Sequence, residues 1–488
     1  MSRDKTNLKV LVKILGTIIL ITGIAMIIPW VYAEVTGDQE SARAFRMCTP
    51  VILIIGVGIS VLFRSDRSSF HAKDGYLVVS LCWMLASFAG AFPYYISGCT
   101  PNFVDALFES TSGFTTTGAT VLIGGITNRS LLLWKSLSHW LGGMGILVFV
   151  ISILPALGIS GQFIMRAETP GPVYQKTSAR ISTSARVLYI TYSAFTVAEF
   201  ILLAISNKMS CFEAAVTTLG CVSTGGLNLQ AGGIAAYGSL YVEVIIAIFC
   251  LLASVNFIIY HYMITGRINE VLRDIELRAY LLIIAGASLL CAFSLIFQGG
   301  MNVKTAFRES IFQTICMAST AGYVHTVDLT WPAASQFILL ALIVIGGCSA
   351  STAGSVKVIR ILVMFRMIGR GLTRRIHPRS VVAIKLGGNP VSAPVVSSIT
   401  AFLLVYGGLI LLSGILLSFS GVDMQTSLGT ALALLSNTGT AVIHDAAVTQ
   451  FDFYHPLLRI YLCVLMIAGR LELFTVILLF TRGLWNRQ

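Results

Sequence analysis

Charged side chains are scarce in this sequence: Asp, Glu, Lys and Arg make up 11% of its 488 residues, hydrophobic residues 56%, and mean hydropathy is +0.84. A soluble globule of that composition could not keep its apolar surface out of water, so the solvent has to be a bilayer. Catalytic signatures are missing as well. No HExxH, no paired carboxylates and no nucleophile beside a base lie within the apolar runs, which argues against a membrane-embedded enzyme. There is no P-loop and no GxGxxG after a strand, so no organic cofactor is implied and nucleotide control has to come from a partner. The ten cysteines include no CxxC pair, and those at Cys82, Cys250, Cys291 and Cys463 read as small apolar fillers. No sizeable soluble domain is left over for a receptor or adaptor role.

Long apolar runs are what the chain has instead. Ten reach spanning length, near 8–32, 47–63, 75–97, 131–156, 184–206, 239–265, 279–298, 333–368, 393–418 and 456–481. The first is too long for a signal-peptide core and reads as a retained helix. The formal charge of +12 would suggest a nucleic-acid partner in a soluble protein. Its distribution says otherwise: with the N-terminus inside, 24 of the 33 Lys and Arg fall in the inner segments, against seven of the 21 acids. That asymmetry is a topology signal, which places both termini in the cytoplasm and leaves no role for nucleic acid.

Four times, between an outward and an inward run, a semi-polar stretch leads into hydroxyl or amide residues and a glycine. The stretches are Phe108–Gly118, Phe212–Gly225, Phe312–Gly322 and Leu428–Gly439. Internal repetition of a unit this size, about a hundred residues, outweighs any single motif. A cation leaving water needs a ring of oxygens, and backbone carbonyls aimed inward can supply it. Glycine accepts positive φ, so it permits the turn, and the C-terminal end of the short helix before each turn favours positive charge. The repeats run in one sense, which favours a pore over a carrier built from inverted repeats.

The run at 333–368 is too long for one crossing, and Gly346–Ser355 interrupts it with ten small residues that cannot hold a helix against lipid. Arg470 lies within the last run, where a basic group costs about 2.5–3.5 kcal/mol and needs water or a partner; Glu472 and the carbonyls of 346–355 are the candidates. Asp105, Glu109, Asp328, Asp423, Asp445 and Asp452 fall near the outer mouth, where they could concentrate cations. His139 and His261, beside Trp140 and Tyr262, read as packing or interfacial residues. Lys357, Arg360, Arg366, Arg370, Arg374, Arg375, Arg379 and Lys385 form a basic stretch with no acid among residues 357–385, suited to a regulator or to anionic lipid.

These residues resemble the Trk/Ktr/HKT potassium transporter superfamily, and within it the bacterial TrkH branch. The resemblance covers nearly the whole chain. Beyond the four loops it includes Ser138–Gly145, Ala167–Pro172, Asn256-Phe257 with His261-Tyr262, Glu276–Arg278, Trp331-Pro332, Gly346–Lys357, His377–Arg379 and Gly469–Glu472. It implies an all-α polytopic membrane protein with four M1-P-M2 pore-loop repeats around a central pore, preceded by two extra N-terminal helices. The corresponding divisions are 1–70, 71–156, 157–265, 266–385 and 386–488. It also implies potassium as the transported ion, a homodimer in the bacterial inner membrane, and a cytoplasmic TrkA-like regulator that binds the nucleotide.

By position, the resemblance makes Thr116, Thr117, Ser223, Thr224, Thr320, Ala321, Asn437 and Thr438 the potassium-coordinating residues, with Gly118, Gly225, Gly322 and Gly439 as hinges. It implies a gate at Gly346, Gly347, Ser351, Thr352 and Gly354, closed with the help of Arg470. Two positions depart from the pattern: Ala321 stands where Thr is usual and Thr440 where the fourth loop commonly has Pro. Glycine at all four turns favours potassium over sodium, since sodium-permeable relatives carry serine in the first. A sodium- or proton-coupled symporter on the same frame remains the alternative.

Overall fold

In a bilayer no water is present to take backbone hydrogen bonds, so an apolar chain closes them internally, and this one does so as helices. The computed structural model describes residues 8–63, 72–122, 125–145, 181–230, 232–326, 331–380, 382–443, 446–479 and 481. Its α-helices are α1 (Leu8–Thr36), α2 (Gln39–Leu62), α3 (Ala72–Ile96), α4 (Phe103–Phe114), α5 (Arg129–Gly143), α6 (Ile181–Ile205), α7 (Cys211–Val222), α8 (Leu240–Ala253) and α9 (Phe257–Ile264). They continue as α10 (Ile268–Arg273), α11 (Ile275–Phe297), α12 (Val303–Ala318), α13 (Ala333–Ile345), α14 (Val358–Ile376), α15 (Ala393–Ser418), α16 (Met424–Leu435), α17 (Pro456–Arg470) and α18 (Phe474–Leu479). Two small antiparallel hairpins pair β1 (Lys385–Leu386) with β2 (Asn389–Pro390) and β3 (Ala441–Ile443) with β4 (Ala446–Val448).

Helices α1 and α2 pack together and rest on α3. The remainder repeats a long helix, a short helix, a turn and a return helix. The short helices α4, α7, α12 and α16 all begin at a polar cap, Asn102, Ser210, Asn302 or Asp423, whose side chain accepts a backbone N–H of the first turn. Each short helix lies on the long helix of its own unit, α3, α6, α11 or α15. Each return helix lies on the short helix of the next unit: α5 on α7, α8 on α12, α13 on α16, and α17 back on α4. The order closes into a ring.

The hydrophobic core divides around that ring. One part gathers α1–α5 with the fourth unit around Phe45, Trp83, Phe114 and Trp134; the other gathers the second and third units around Tyr192, Phe257, Tyr280 and Tyr323.

The ten apolar runs do not become ten straight helices. Among the described residues six helices are long and apolar enough to cross on their own: α1, α2, α3, α6, α11 and α15. The run at 239–265 bends by 93° between α8 and α9. Asn256 causes the restart, its side chain accepting the Ile258 N–H and capping α9. The run at 456–481 breaks after Arg470, where Glu472 and Leu473 take left-handed φ of 54° and 62°. The break at Gly346–Ser355 falls where the small residues put it, between α13 and α14. The far part of the 131–156 run, the Ala167–Pro172 motif, Asp328, Asp445 and both chain ends lie outside the described residues.

Candidate functional site

The four short helices end on hydroxyl residues, Thr115, Ser223, Ser319 and Ser436, and the chain turns alike after each. Thr116, Thr224, Thr320 and Asn437 take left-handed φ of 55°, 53°, 57° and 57°. Two residues further, Gly118, Gly226, Gly322 and Gly439 take φ of 78°, 49°, 69° and 68°. A left-handed β-branched residue costs roughly 1–2 kcal/mol, so three threonines there mark a turn imposed by its surroundings. The turn amides point back into their helices: Thr117 donates to Ser112 O at 2.9 Å, Gly225 to Gly220 O at 2.8 Å, Gly322 to Cys316 O at 3.2 Å and Thr438 to Ala433 O at 3.0 Å. A trans peptide sets its carbonyl opposite its N–H, so the preceding carbonyls point out of the helix ends.

The turns touch in the same closed order as the helices. A Cβ built on Gly118 would lie 2.2 Å from Gly225 O; one on Gly226, 1.7 Å from Ala321 O; one on Gly322, 2.1 Å from Thr438 O; one on Gly439, 1.8 Å from Thr117 O. No side chain fits in any of these four gaps. Four backbone turns therefore meet around one axis at separations that glycine alone allows.

The second turn departs from the expected register. Gly225 was expected to match Gly118, Gly322 and Gly439, but the left-handed glycine is Gly226, and Ser223 stands with the helix-ending Thr115, Ser319 and Ser436. Thr224-Gly225-Gly226 is thus the counterpart of Thr116-Thr117-Gly118. Gly225 instead lies against the buried ring of His139, which a built Cβ would approach to 2.9 Å.

Side-chain oxygens are unevenly spread. Thr115 and Thr117 hydroxyls pair at 2.7 Å in the first turn, and those of Ser436 and Thr438 at 2.9 Å in the fourth. Gly225 and Ala321 hold the equivalent places in the second and third turns and carry no hydroxyl. Asn437 Nδ2 donates to Thr117 Oγ1 at 3.0 Å and to Met466 O at 2.9 Å, tying the fourth turn to the first. Thr440 donates to Gly322 O at 2.6 Å, a bond that proline could not make.

Directly beside the turns lies the Gly346–Ser355 segment. Gly354 N–H donates to Thr320 Oγ1 at 2.8 Å, and a Cβ on Gly354 would lie 2.3 Å from Ser436 O. Thr352 Oγ1 donates to Ala253 O at 3.0 Å and Val222 O at 3.3 Å. Ser351 Oγ closes onto Cys348 O at 2.6 Å, while Gly346 (φ 71°) and Gly347 start the segment against Ser355 and Ser254. Arg470 donates from Nη1 to Thr352 O and from Nη2 to Gly142 O and Gly143 O, each at 2.7 Å. One guanidinium therefore fastens the segment to the first unit. Glu472, expected as a partner of Arg470, forms its ion pair with Arg360.

The profile of the TrkH family, described as cation transport protein, matches residues 44–485. The chain belongs to the TrkH family. The Trk system potassium uptake protein TrkH of Escherichia coli K12 is 32% identical over 486 residues, covering 98% of this chain and 100% of that protein. The TrkH of Halomonas elongata is 31% identical, covering 99% and 100%. The crystal structure of the potassium transporter TrkH from Vibrio parahaemolyticus superposes with a TM-score of 0.87 at 28% identity, over 98% of this chain and 100% of that one. Membership in a family of transport proteins makes this a multi-pass membrane transporter and not an enzyme.

Within this TrkH-family fold, two acids expected at a solvated outer rim are buried in ion pairs. Asp105 pairs with Arg459. Glu109 pairs with Lys135 at 2.6 Å, with side-chain exposures of 0% and 1%. Asp423 is spent capping α16. The buried acid braces the chain after the first turn: Glu109 Oε1 accepts the Val121 N–H at 2.8 Å and the Thr120 hydroxyl at 2.6 Å, and Lys135 Nζ donates to Ala119 O at 2.9 Å. In the third unit Gln313 takes the same place, accepting His325 N–H at 3.0 Å. The signal was available, since Glu109 and Gln313 stand equally far before Gly118 and Gly322. His261 is exposed at the end of α9. Of the basic stretch, Arg360 is buried, stacked on Phe402 at 4.1 Å, whereas Arg374, Arg375 and Arg379 are exposed.

Proposed function

We propose that this chain takes up potassium across the bacterial inner membrane, through a selectivity filter made by the four turns and a gate made by residues 346–355. The observation that carries the reading is the closed order in which each hinge glycine abuts a carbonyl of the next turn. A ring of that kind can replace the hydration shell of a monovalent cation, and four helix C-terminal ends directed at it favour positive charge. The ion contacts fall to the carbonyls of Thr116, Thr117, Thr224, Gly225, Thr320, Ala321, Asn437 and Thr438. Ala321 serves as well as threonine there, because a carbonyl contact does not depend on the side chain. Arg470 holds the gate segment against the turns and, as a fixed cation beside the path, opposes conduction until it is moved.

The relatives' Trk-system names and the exposed arginines at the end of α14 support assembly with a cytoplasmic nucleotide-binding regulator. The chain works as a homodimer with one pore per subunit and both termini in the cytoplasm. Flux through the purified protein in proteoliposomes, under imposed potassium, sodium and pH gradients, tests this. Potassium-selective flux driven by the membrane potential alone is expected. Potassium accumulation that requires a sodium or proton gradient would establish the symport alternative, and absence of potassium flux would overturn the reading.

A further inference from the structure

Glu276, in the first turn of α11, is 4% exposed and far in sequence from the segment it touches. Its carboxylate gathers three donors. Oε1 accepts the Ser349 N–H at 2.7 Å and the Ile359 N–H at 3.2 Å, and Oε2 accepts the Ser349 hydroxyl at 2.6 Å. Ser349 lies in the gate segment, and Ile359 is in the first turn of α14, where an N–H has no partner within its own helix.

The stretch between those two residues is strained. Ala350, Ser355 and Lys357 all take left-handed φ, at 51°, 68° and 78°, without being glycine. Such conformations persist only where surrounding contacts over-determine them. Glu276 grips both ends of that stretch at once. Next to Ile359, Arg360 is tied to Glu472 just past Arg470, so the start of α14 is held by carboxylates from the third and the fourth unit.

We propose that Glu276 is a positioning residue that latches the gate segment in its strained, closed form, so that losing its acceptors lets the segment relax away from the turns. This inference rests on the gate reading given above. It requires hydrogen-bond acceptors and not volume: Gln can still accept both N–H groups through its carbonyl oxygen while its amide donates to the Ser349 hydroxyl, whereas Met of similar size can do neither.

The test is basal rubidium uptake by full-length protein in proteoliposomes without a regulator, for Glu276→Met, Glu276→Gln, Ser349→Ala and Arg470→Ala, with thermal unfolding to verify folding. Glu276→Met is expected to raise basal uptake about tenfold, Ser349→Ala two- to threefold, and Glu276→Gln to stay within about threefold of wild type. If Glu276→Met fails to fold, Ser349→Ala and Glu276→Gln still decide: a Ser349→Ala rate equal to wild type overturns the latch. Wild-type uptake in folded Glu276→Met, alongside raised uptake in Arg470→Ala, overturns the latch and leaves the gate reading standing. Wild-type uptake in all four overturns both.

Discussion

Alanine placed at Gly225 and at Gly226 separates two registers of the second turn by a measurable quantity. At Gly226 the new Cβ would stand 1.7 Å from Ala321 O, a backbone atom of the next turn, when real Cβ atoms essentially never approach within 3.0 Å. The second and third turns would have to part by about an ångström, and the left-handed φ of 49° adds roughly 1–2 kcal/mol of strain for alanine. At Gly225 φ is not left-handed and the nearest atoms belong to the His139 ring, at 2.9–3.1 Å, so a shift of a few tenths of an ångström in one side chain suffices. Reversal potentials in planar bilayers under bi-ionic potassium and sodium would read the difference. Gly226→Ala should reduce the potassium-to-sodium permeability ratio at least tenfold, equivalent to about 1.4 kcal/mol of lost discrimination. Gly225→Ala should change it less than about twofold. Equal effects, or the larger effect at Gly225, would refute the assignment of Gly226 to the hinge.

On the proposed gate reading, Arg470→Ala should raise basal flux and reduce its dependence on the regulator, since it removes three bonds that fasten residues 346–355 to the first unit, and a fixed positive charge; a folded variant conducting at the wild-type rate would place the gate elsewhere. Lys135→Met should destabilise the protein by about 3–5 kcal/mol by stranding Glu109, and Glu109→Gln added to it should recover most of that, because the pair then imitates Gln313. Thermal unfolding of the solubilised protein measures this, and a double variant no more stable than Lys135→Met counts against it. Neutralising Arg374, Arg375 and Arg379 together should weaken co-purification with the regulator; an intact complex whose activity depends differently on anionic lipid would assign the patch to the membrane.

The four turns were legible because their signal is local: a short capped helix, hydroxyl residues and a glycine, recurring between apolar runs. The register of the second was not, because Gly225-Gly226 offers two glycines and only the contact with Ala321 O selects between them. The break at Gly346–Ser355 announces itself in ten small residues, but the bend after Ala253 is marked only by Ser254 and Asn256, and the break after Arg470 only by Arg470 and Glu472, too few polar residues inside long apolar runs to read as breaks. Nothing local foretells left-handed Leu473. Asp105 and Glu109 read as rim acids because their partners, Arg459 and Lys135, come from other helices, Arg459 from the last unit. Residue type and position along the chain cannot reveal a counter-charge that only folding brings alongside.

The uneven placement of hydroxyls has an evolutionary consequence. In a pore assembled from four identical subunits, one codon change rewrites all four sides together, so any drift in ion preference comes in a single large step. Here Thr117, Gly225, Ala321 and Thr438 are separately encoded, and hydroxyls already back two adjacent quarters of the circle and not the other two. With the four turns as the proposed filter, selection can therefore adjust the pore one quadrant at a time, testing intermediate ion preferences that a symmetric channel cannot reach by point mutation.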